Sequence, residues 1–340
     1  MPTAEHGVTD WLLTVDEPWV SFNALLDLAG ASPDSPDVLD AYAAMQSHPE
    51  VSALISALDT WPEKPLGKAY DPKDAIWKLG MLADFGLRRD DERIADIAER
   101  VFAAQGEDGG FLHGGFDHTK SWHTRPYICI SHVMTYALAR FGYLDDPRLQ
   151  RAYEQLEQWR RLDGGWHPNK LNLPGNEREA DPSCPFGTVN VLKAVVTNPA
   201  LRGSETAKSA AEFLLTAWAR RGEPYRPVGF GIGASWDKTQ YPLVQYSLLK
   251  TLDTLSLVEG IETDARYLDM LDRLRSKQTP DGKWLAESVN KPYSGFDFGQ
   301  KKQPSPWITF LALRVLKRAG QSVQVQAACG ALGYSPDGAW

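Results

Sequence analysis

The sequence predicts an all-α fold, an (α/α)6 toroid in which about six helical hairpins form an inner and an outer ring. Three observations carry that expectation. A phrase recurs at an offset of about 55 residues, the two helices within each period differ in polarity, and 340 residues hold about six periods. Two common helices of roughly 10–14 residues plus their loops fill such a period.

Residues 1–70 are worded differently from the rest. Their stretch 18–61 reads as two or three helices packing on the toroid, and a Pro- and Lys-rich connector, 61–72, leads into the repeats at 71–320. The first full copy, 77–111, carries Phe85-Gly86, Asp90-Asp91 and Asp108-Gly109-Gly110-Phe111. The second, 132–166, answers with Phe141-Gly142, Asp145-Asp146 and Asp163-Gly164-Gly165-Trp166. The turn returns at 278–284, QTPDGKW, and Arg221-Gly222 stands where an intervening, degenerate copy belongs. Runs 189–198, 244–255 and 307–320 fill the matching inner-helix slots, and 321–340 reads as a cap or tail. The first helix of each hairpin is apolar nearly all round, as a buried helix should be. The second, such as 90–105, is charged on one face. Gly-Gly after each outer helix is expected to supply a left-handed stop, and the Asp-Asp pairs are read as helix caps.

Composition narrows the function classes. A net charge of −8 argues against a nucleic-acid surface. No run approaches 18 apolar residues, so no membrane span is expected, and the opening residues lack a basic and apolar leader pattern. Three cysteines make no disulfide framework. The expectation is a cytoplasmic protein acting on a small molecule in a central cavity.

Cys129 and Cys184 lie 55 residues apart, which assigns them to one slot at the start of consecutive inner helices. Asp74 and Tyr241 fall near the same slot of the flanking repeats. His167 follows the second turn and enters the loop leading to Cys184. Two thiolates, favoured by helix N-termini, and an imidazole make a tripod with one open position, the form of a catalytic zinc site. Cys129, His167 and Cys184 are thus candidate Zn2+ ligands, with Asp74, His118, His123 and Tyr241 as acid–base candidates. The same residues could work without metal, and two cysteines can also be plain core residues. His132 reads as core or cavity lining. The loop 111–127, with three histidines, and the loop 287–307, with Tyr293, Asp297, Lys301 and Lys302, are expected at the cavity mouth.

The turns Gln105…Asp108-Gly-Gly-Phe111, Gln158…Asp163-Gly-Gly-Trp166 and Gln278…Asp281-Gly-Lys-Trp284 resemble the QW-type turns of the prenyltransferase/squalene oxidase repeat. That repeat builds the α/α toroid of squalene–hopene cyclases and protein prenyltransferase β subunits. The resemblance covers roughly residues 70–320 and is specific for the fold rather than the reaction. It implies a single-toroid bacterial squalene cyclase-like protein. The acidic DxDD motif of the cyclases does not occur, and the Asp-x-Cys pairing of the prenyltransferases has no match. The enzyme classes implied are lyase, isomerase/cyclase or hydrolase on an apolar, aromatic or isoprenoid-like substrate. Alternatives are a metal-free dehydratase-isomerase, akin in kind to linalool dehydratase-isomerase, and a non-catalytic toroid that binds a peptide or lipid. The sequence says nothing of oligomeric state.

Overall fold

A computed structural model of the chain describes residues 4–61, 71–116, 122–126, 128–167, 182–223, 234–244 and 247–321. The described chain is mostly α-helical, as expected. Its helices are α1 (Ala4–Leu13), α2 (Pro18–Ala24), α3 (Pro36–Ser47), α4 (Pro49–Ser56), α5 (Ala75–Phe85), α6 (Glu92–Ala103) and α7 (Ile128–Arg140). They continue as α8 (Pro147–Gln158), α9 (Pro185–Thr197), α10 (Glu205–Ala219), α11 (Leu248–Leu255), α12 (Ala265–Arg275) and α13 (Pro306–Arg318). Two short sheets interrupt them. In the His-rich loop, β1 (Leu112–Phe116) pairs antiparallel with β2 (Trp122–Pro126), and β3 (Gln240–Tyr241) runs parallel to β4 (Ser288–Val289).

Helix α5 packs on α7, α7 on α9, α9 on α11 and α11 on α13, while α2 touches both α13 and α5. The sequence of contacts therefore returns to its start. Helices α4, α8, α10 and α12 pack against α5, α7, α9 and α11 from the other side. The polarity difference read from the sequence matches this division. Every residue of α11 is buried, and so is nearly all of α9, whereas α6 and α8 bury a single stripe.

The repeated turn is the joint of the structure. In three copies the main chain closes identically, with Gly106, Arg161 and Thr279 N–H groups donating to the carbonyls of Gly110, Gly165 and Lys283. Gly109, Gly164 and Gly282 sit at φ +90, +85 and +84, a region that costs an L-residue about 1–2 kcal/mol. The aromatic that follows is fully buried, as Phe111, Trp166 or Trp284. A Trp so placed contributes roughly 4–6 kcal/mol, from ~25 cal/mol/Å2 over 150–250 Å2. Its main-chain N–H donates to a hydroxyl on the next inner helix: Phe111 to Ser131, Trp166 to Thr188 and Trp284 to Thr309, at 3.0–3.1 Å. Each turn thus locks the register of the helix that follows.

The glutamines of the motif behave unequally. Gln105 and Gln278 donate to the turn carbonyls of Gly109 and Gly282 at 2.9 and 3.1 Å. Gln158 does not share that slot. It ends α8 exposed, and Arg160 stands four residues before Gly164 in its place. The left-handed glycines also differ from expectation. They lie inside the turn, while Gly86, Gly142 and Gly320, at φ +97, +100 and +65, stop the apolar helices α5, α7 and α13.

The Asp-Asp pairs divide their labour. Asp91 and Asp146 cap α6 and α8, and Asp264 caps α12, each accepting from the N–H two residues on. In all three that residue is an arginine, whose guanidinium folds back on the same carboxylate. Arg148 and Arg266 then reach Glu99 and Glu212 on the preceding outer helix. These exposed pairs contribute about 0–1 kcal/mol each and serve register more than stability. Asp90 caps nothing and accepts from Tyr42 Oη at 2.7 Å.

A Cβ on Gly109 would lie 2.3 Å from the Arg151 carbonyl, whereas one on Gly222 meets nothing within 4 Å. Gly109→Ala is expected to cost at least about 2 kcal/mol in urea unfolding, and Gly222→Ala to stay within about 0.5 kcal/mol.

Candidate functional site

Residues of α5, α7, α9 and α11 line a small cavity of about 30 Å3. The helical period brings its lining together. Trp77, Met81 and Asp84 recur on one face of α5, His132 and Tyr136 lie one turn apart on α7, and Asn190 and Lys193 come from α9. Lys250 from α11 and the segment Pro242–Leu243 close it.

The polar centre is Asp84. Its Oδ1 accepts from Tyr136 Oη at 2.5 Å and from Lys193 Nζ at 2.7 Å, and its Oδ2 accepts from Tyr241 Oη at 2.9 Å. Taking the carboxylate and ammonium out of water costs several kcal/mol per ion. Three donors at about 1.5–3 kcal/mol each are of the size needed to offset the carboxylate's share. Burial, and then the Asp84 charge, push both phenols well above the usual tyrosine range. Lys193 Nζ also lies 4.1 Å over the Tyr136 ring.

Burial pushes two further cavity groups toward their neutral forms. Lys250 is 1% exposed and donates to the Leu243 carbonyl at 2.5 Å. Burial, and next the charge of Lys193, pull it well below the usual lysine range, with Asp84 opposing. The Trp77 and Phe186 rings, 5.4 and 5.6 Å away, favour the ammonium by only ~0.5–2 kcal/mol, less than the desolvation cost. His132 is pulled well below its usual value by burial, Lys250 and Lys193, and its Nε2 has no partner among the described residues.

A second buried cluster serves the frame. Asp253 on α11 receives Arg314 in a fork at 2.8 and 2.9 Å and Arg318 at 3.1 Å, tying α13 to α11.

Of the residues singled out in the sequence, Tyr241 reaches the cavity's polar centre through Asp84, and His132 lines the cavity. Asp74 is half-buried at the start of α5, outside the lining. His118, and the side chains of His123 and Cys129, lie outside the described residues. His167 and Cys184 are both buried, and the Cys184 N–H donates at 2.8 Å to the carbonyl of Trp166, the residue before His167. Among the described residues no three His, Cys, Asp or Glu side chains gather as a metal site would require.

The shared slot proposed for the two cysteines needs correction. Cys184 is the N-cap of α9, its Sγ accepting from Gly187 N–H at 3.5 Å, four residues before Thr188. Ser305 does the same for α13, four residues before Thr309, and also donates its N–H to the turn aromatic, Trp284, at 2.9 Å. The equivalent position before Ser131 is Tyr127, whereas Cys129 falls within α7. The loops between turn and helix differ in length, so a fixed ruler slips across them. The expected thiolate is also corrected: burial pushes the Cys184 thiol up to about 11, outweighing the helix N-terminus.

In the loop 287–307, Tyr293 is buried with its Oη on the Pro72 carbonyl at 2.6 Å, while Lys301 and Lys302 are exposed. Asp297 is half-buried and accepts from Ser305 Oγ and from Trp307 N–H at the start of α13. Its Oδ1 has no hydrogen-bond partner among the described residues, and desolvation raises its pKa to about 6.

Sequence reasoning passed over Asp84, Tyr136, Lys193 and Lys250. The signal was present: three of them are lone charges in otherwise apolar helical runs, LGMLADF, VNVLKAVV and LLKTL.

No protein-family model matches the chain, and no curated protein matches it. Several solved structures do. A protein from Actinoplanes is 17% identical, with 94% of this chain and 99% of that one covered and a TM-score of 0.46. The ligand-free type II terpene cyclase MstE from Scytonema is 14% identical, with 93% and 97% covered and a TM-score of 0.46. A substituted form of that cyclase, in complex with geranylgeranyl dihydroxybenzoate as its substrate, is 14% identical, with 93% and 96% covered and a TM-score of 0.45. At these scores the likeness carries no inference about the reaction of this chain. No described helix is long and apolar enough to cross a membrane.

The raised Asp297 pKa makes a signed prediction. Unfolded, the group titrates near 3.9. Its contribution is therefore fully favourable below about pH 4 and is lost as pH rises through about 6. Asp297→Asn should gain on the parent between pH 4 and 7, by up to about 3 kcal/mol at 1.36 kcal/mol per unit, in urea unfolding at a series of pH values.

Proposed function

We propose that the chain is an (α/α)6 toroid of the terpenoid cyclase-like kind, and that it is an enzyme moving protons on a small apolar molecule in its central cavity. The closed succession of contacts among α2, α5, α7, α9, α11 and α13, and the three QW-type turns, support the fold. One observation carries the activity. A buried imidazole, His132, with its Nε2 unpartnered among the described residues, faces the same space as the Asp84–Tyr136–Lys193 network one helical turn away.

A buried imidazole pushed toward its neutral form keeps a lone pair free to accept a proton from substrate. The Lys193 ammonium and the Tyr136 phenol, both held by Asp84, are donors to the atom that gains charge. Trp77, Met81, Val133, Pro242 and Leu243 supply apolar walls, so a small apolar molecule with one polar group suits the lining. Acid–base isomerisation or elimination follows from this layout, without requiring a metal ion.

The test is solvent-deuterium incorporation, read by mass spectrometry over a panel of small unsaturated alcohols, aldehydes and ketones. Folded His132→Ala and Asp84→Asn variants should each lose about 100-fold or more of the exchange seen in the parent, the usual share of an acid or base. Retention of activity in both, or no exchange by the parent on any member, overturns the reading.

Zinc held by Cys129, His167 and Cys184 is the second reading, favoured by the main-chain bond from Cys184 to Trp166, the residue before His167. Serine already performs the Cys184 role at position 305, so Cys184→Ser should fold. Near-stoichiometric zinc in the parent, lost in Cys184→Ser, would establish that site. Protein purified with zinc in the medium yet free of it would remove it.

A further inference from the structure

We infer that Lys250 is an amine nucleophile that condenses with an aldehyde or ketone in the central cavity, forming a Schiff base with the substrate. The inference rests on the proposed acid–base reading of the same cavity and names its substrate class.

The position itself is unusual. Lys250 stands three residues after Ser247, the N-cap of α11. The residues three after the corresponding starts of α5, α9 and α13 are Trp77, Gly187 and Ile308, and the residue before Ser131 on α7 is Ile130. The fold therefore asks for no charge at this place. A lysine here nevertheless sits wholly buried in the cavity wall. Among the described residues, none of its hydrogen bonds goes to a carboxylate. Nζ donates to the Leu243 carbonyl, and the carboxylate in the cavity lining, Asp84, is already engaged by Lys193, Tyr136 and Tyr241.

Several features favour the free amine. The side chain is buried, Lys193 shares the cavity, and Lys250 lies in the first turn of α11, where the helix dipole opposes positive charge. A neutral amine in an apolar pocket is the activated form of lysine for carbonyl chemistry. The Leu243 carbonyl accepts one Nζ hydrogen, which orients the nitrogen lone pair without consuming it.

The step balances without a further reagent. The Nζ lone pair bonds to the carbonyl carbon, and the C=O π pair moves to oxygen. His132 takes a proton from the new C–N–H and returns it to that oxygen, giving a carbinolamine. The C–O bond then breaks, water leaves with two hydrogens, and the nitrogen pair forms the C=N bond. Protonated at nitrogen, the imine acidifies the neighbouring C–H, which is where the proton transfer proposed for His132 acts. Hydrolysis by the reverse path releases the product ketone or aldehyde.

Reductive trapping tests this on the intact chain. The parent is incubated at pH 7 with citral or benzaldehyde and sodium cyanoborohydride, then mapped by peptide mass spectrometry. The expected result is one adduct, of aldehyde less oxygen, on the Lys250 peptide at least tenfold ahead of any other lysine. Lys250→Met should lose that adduct and keep the slow surface labelling. Labelling spread over exposed lysines with Lys250 unmodified, at probe concentrations that quench tryptophan fluorescence in the parent but not in Trp77→Phe, overturns the inference. The deuterium assay separates the two readings. Exchange retained in Lys250→Met yet lost in His132→Ala overturns the Schiff base alone, whereas exchange retained in His132→Ala overturns the acid–base reading while trapping at Lys250 still decides this one.

Discussion

A carboxylate buried where helices meet has to be surrounded by donors, and Asp84 sets that condition for the centre of this protein. Its partners come from three other elements, α7, α9 and β3. Helices α5 and α9 are not sequence neighbours in the contact order, since α7 lies between them. The ion pair therefore fixes a distance that apolar packing alone would leave soft. Removing one partner leaves a buried charge exposed to the full desolvation cost, commonly 3–5 kcal/mol. Tyr241 is drawn in by the same carboxylate, and with it comes the short segment that supplies Pro242 and Leu243 to the cavity wall.

The frame that delivers these groups is periodic, and so it was legible. An Asp-Gly turn with a buried aromatic, an apolar helix and an Asp-capped amphipathic helix each leave a pattern in the residues, because each is enforced by local geometry. Gly109 and Gly164 need positive φ, and Asp91 and Asp146 need a free N–H to accept from. Repetition turned these weak signals into a strong one. The hydroxyl that receives the turn N–H escaped notice, since serine or threonine in a helix has many possible reasons. Yet Ser131, Thr188 and Thr309 measure the true register better than any spacing.

The site was far less legible, for a physical reason. Histidines and cysteines attract attention by residue type, whereas the cavity is built from residues that are ordinary in type and unusual only in burial. Cys184 does at the start of α9 what Ser305 does at the start of α13, a capping role that its residue type does not suggest. Lys193 and Lys250 look like surface residues until the helix around them is seen to have no surface. An apolar run broken by one charge was the available clue, and it needed the weight that a conspicuous residue type received instead.

Register also explains how one frame can carry chemistry. Counted from the hydroxyl landmarks, Tyr136, Lys193 and Arg314 are each five residues further along their helices. They occupy one slot of the repeat, and all three point into buried polar networks. Tyr136 and Lys193 meet at Asp84, while Arg314 turns to Asp253 and Asp27. Turns, caps and outer faces hold the frame without depending on what fills this slot, and Arg314 within it adds a tie between α13 and α11. A repeat fold thus separates the residues that specify the frame from those freer to vary along its buried side. Burial then imposes a different rule on the second set: every charge there needs an opposite charge or is pushed toward its neutral form. Asp84 with Lys193, and Asp253 with Arg314, satisfy the first clause. His132 and Lys250 fall under the second, burial drawing both toward the free-base form.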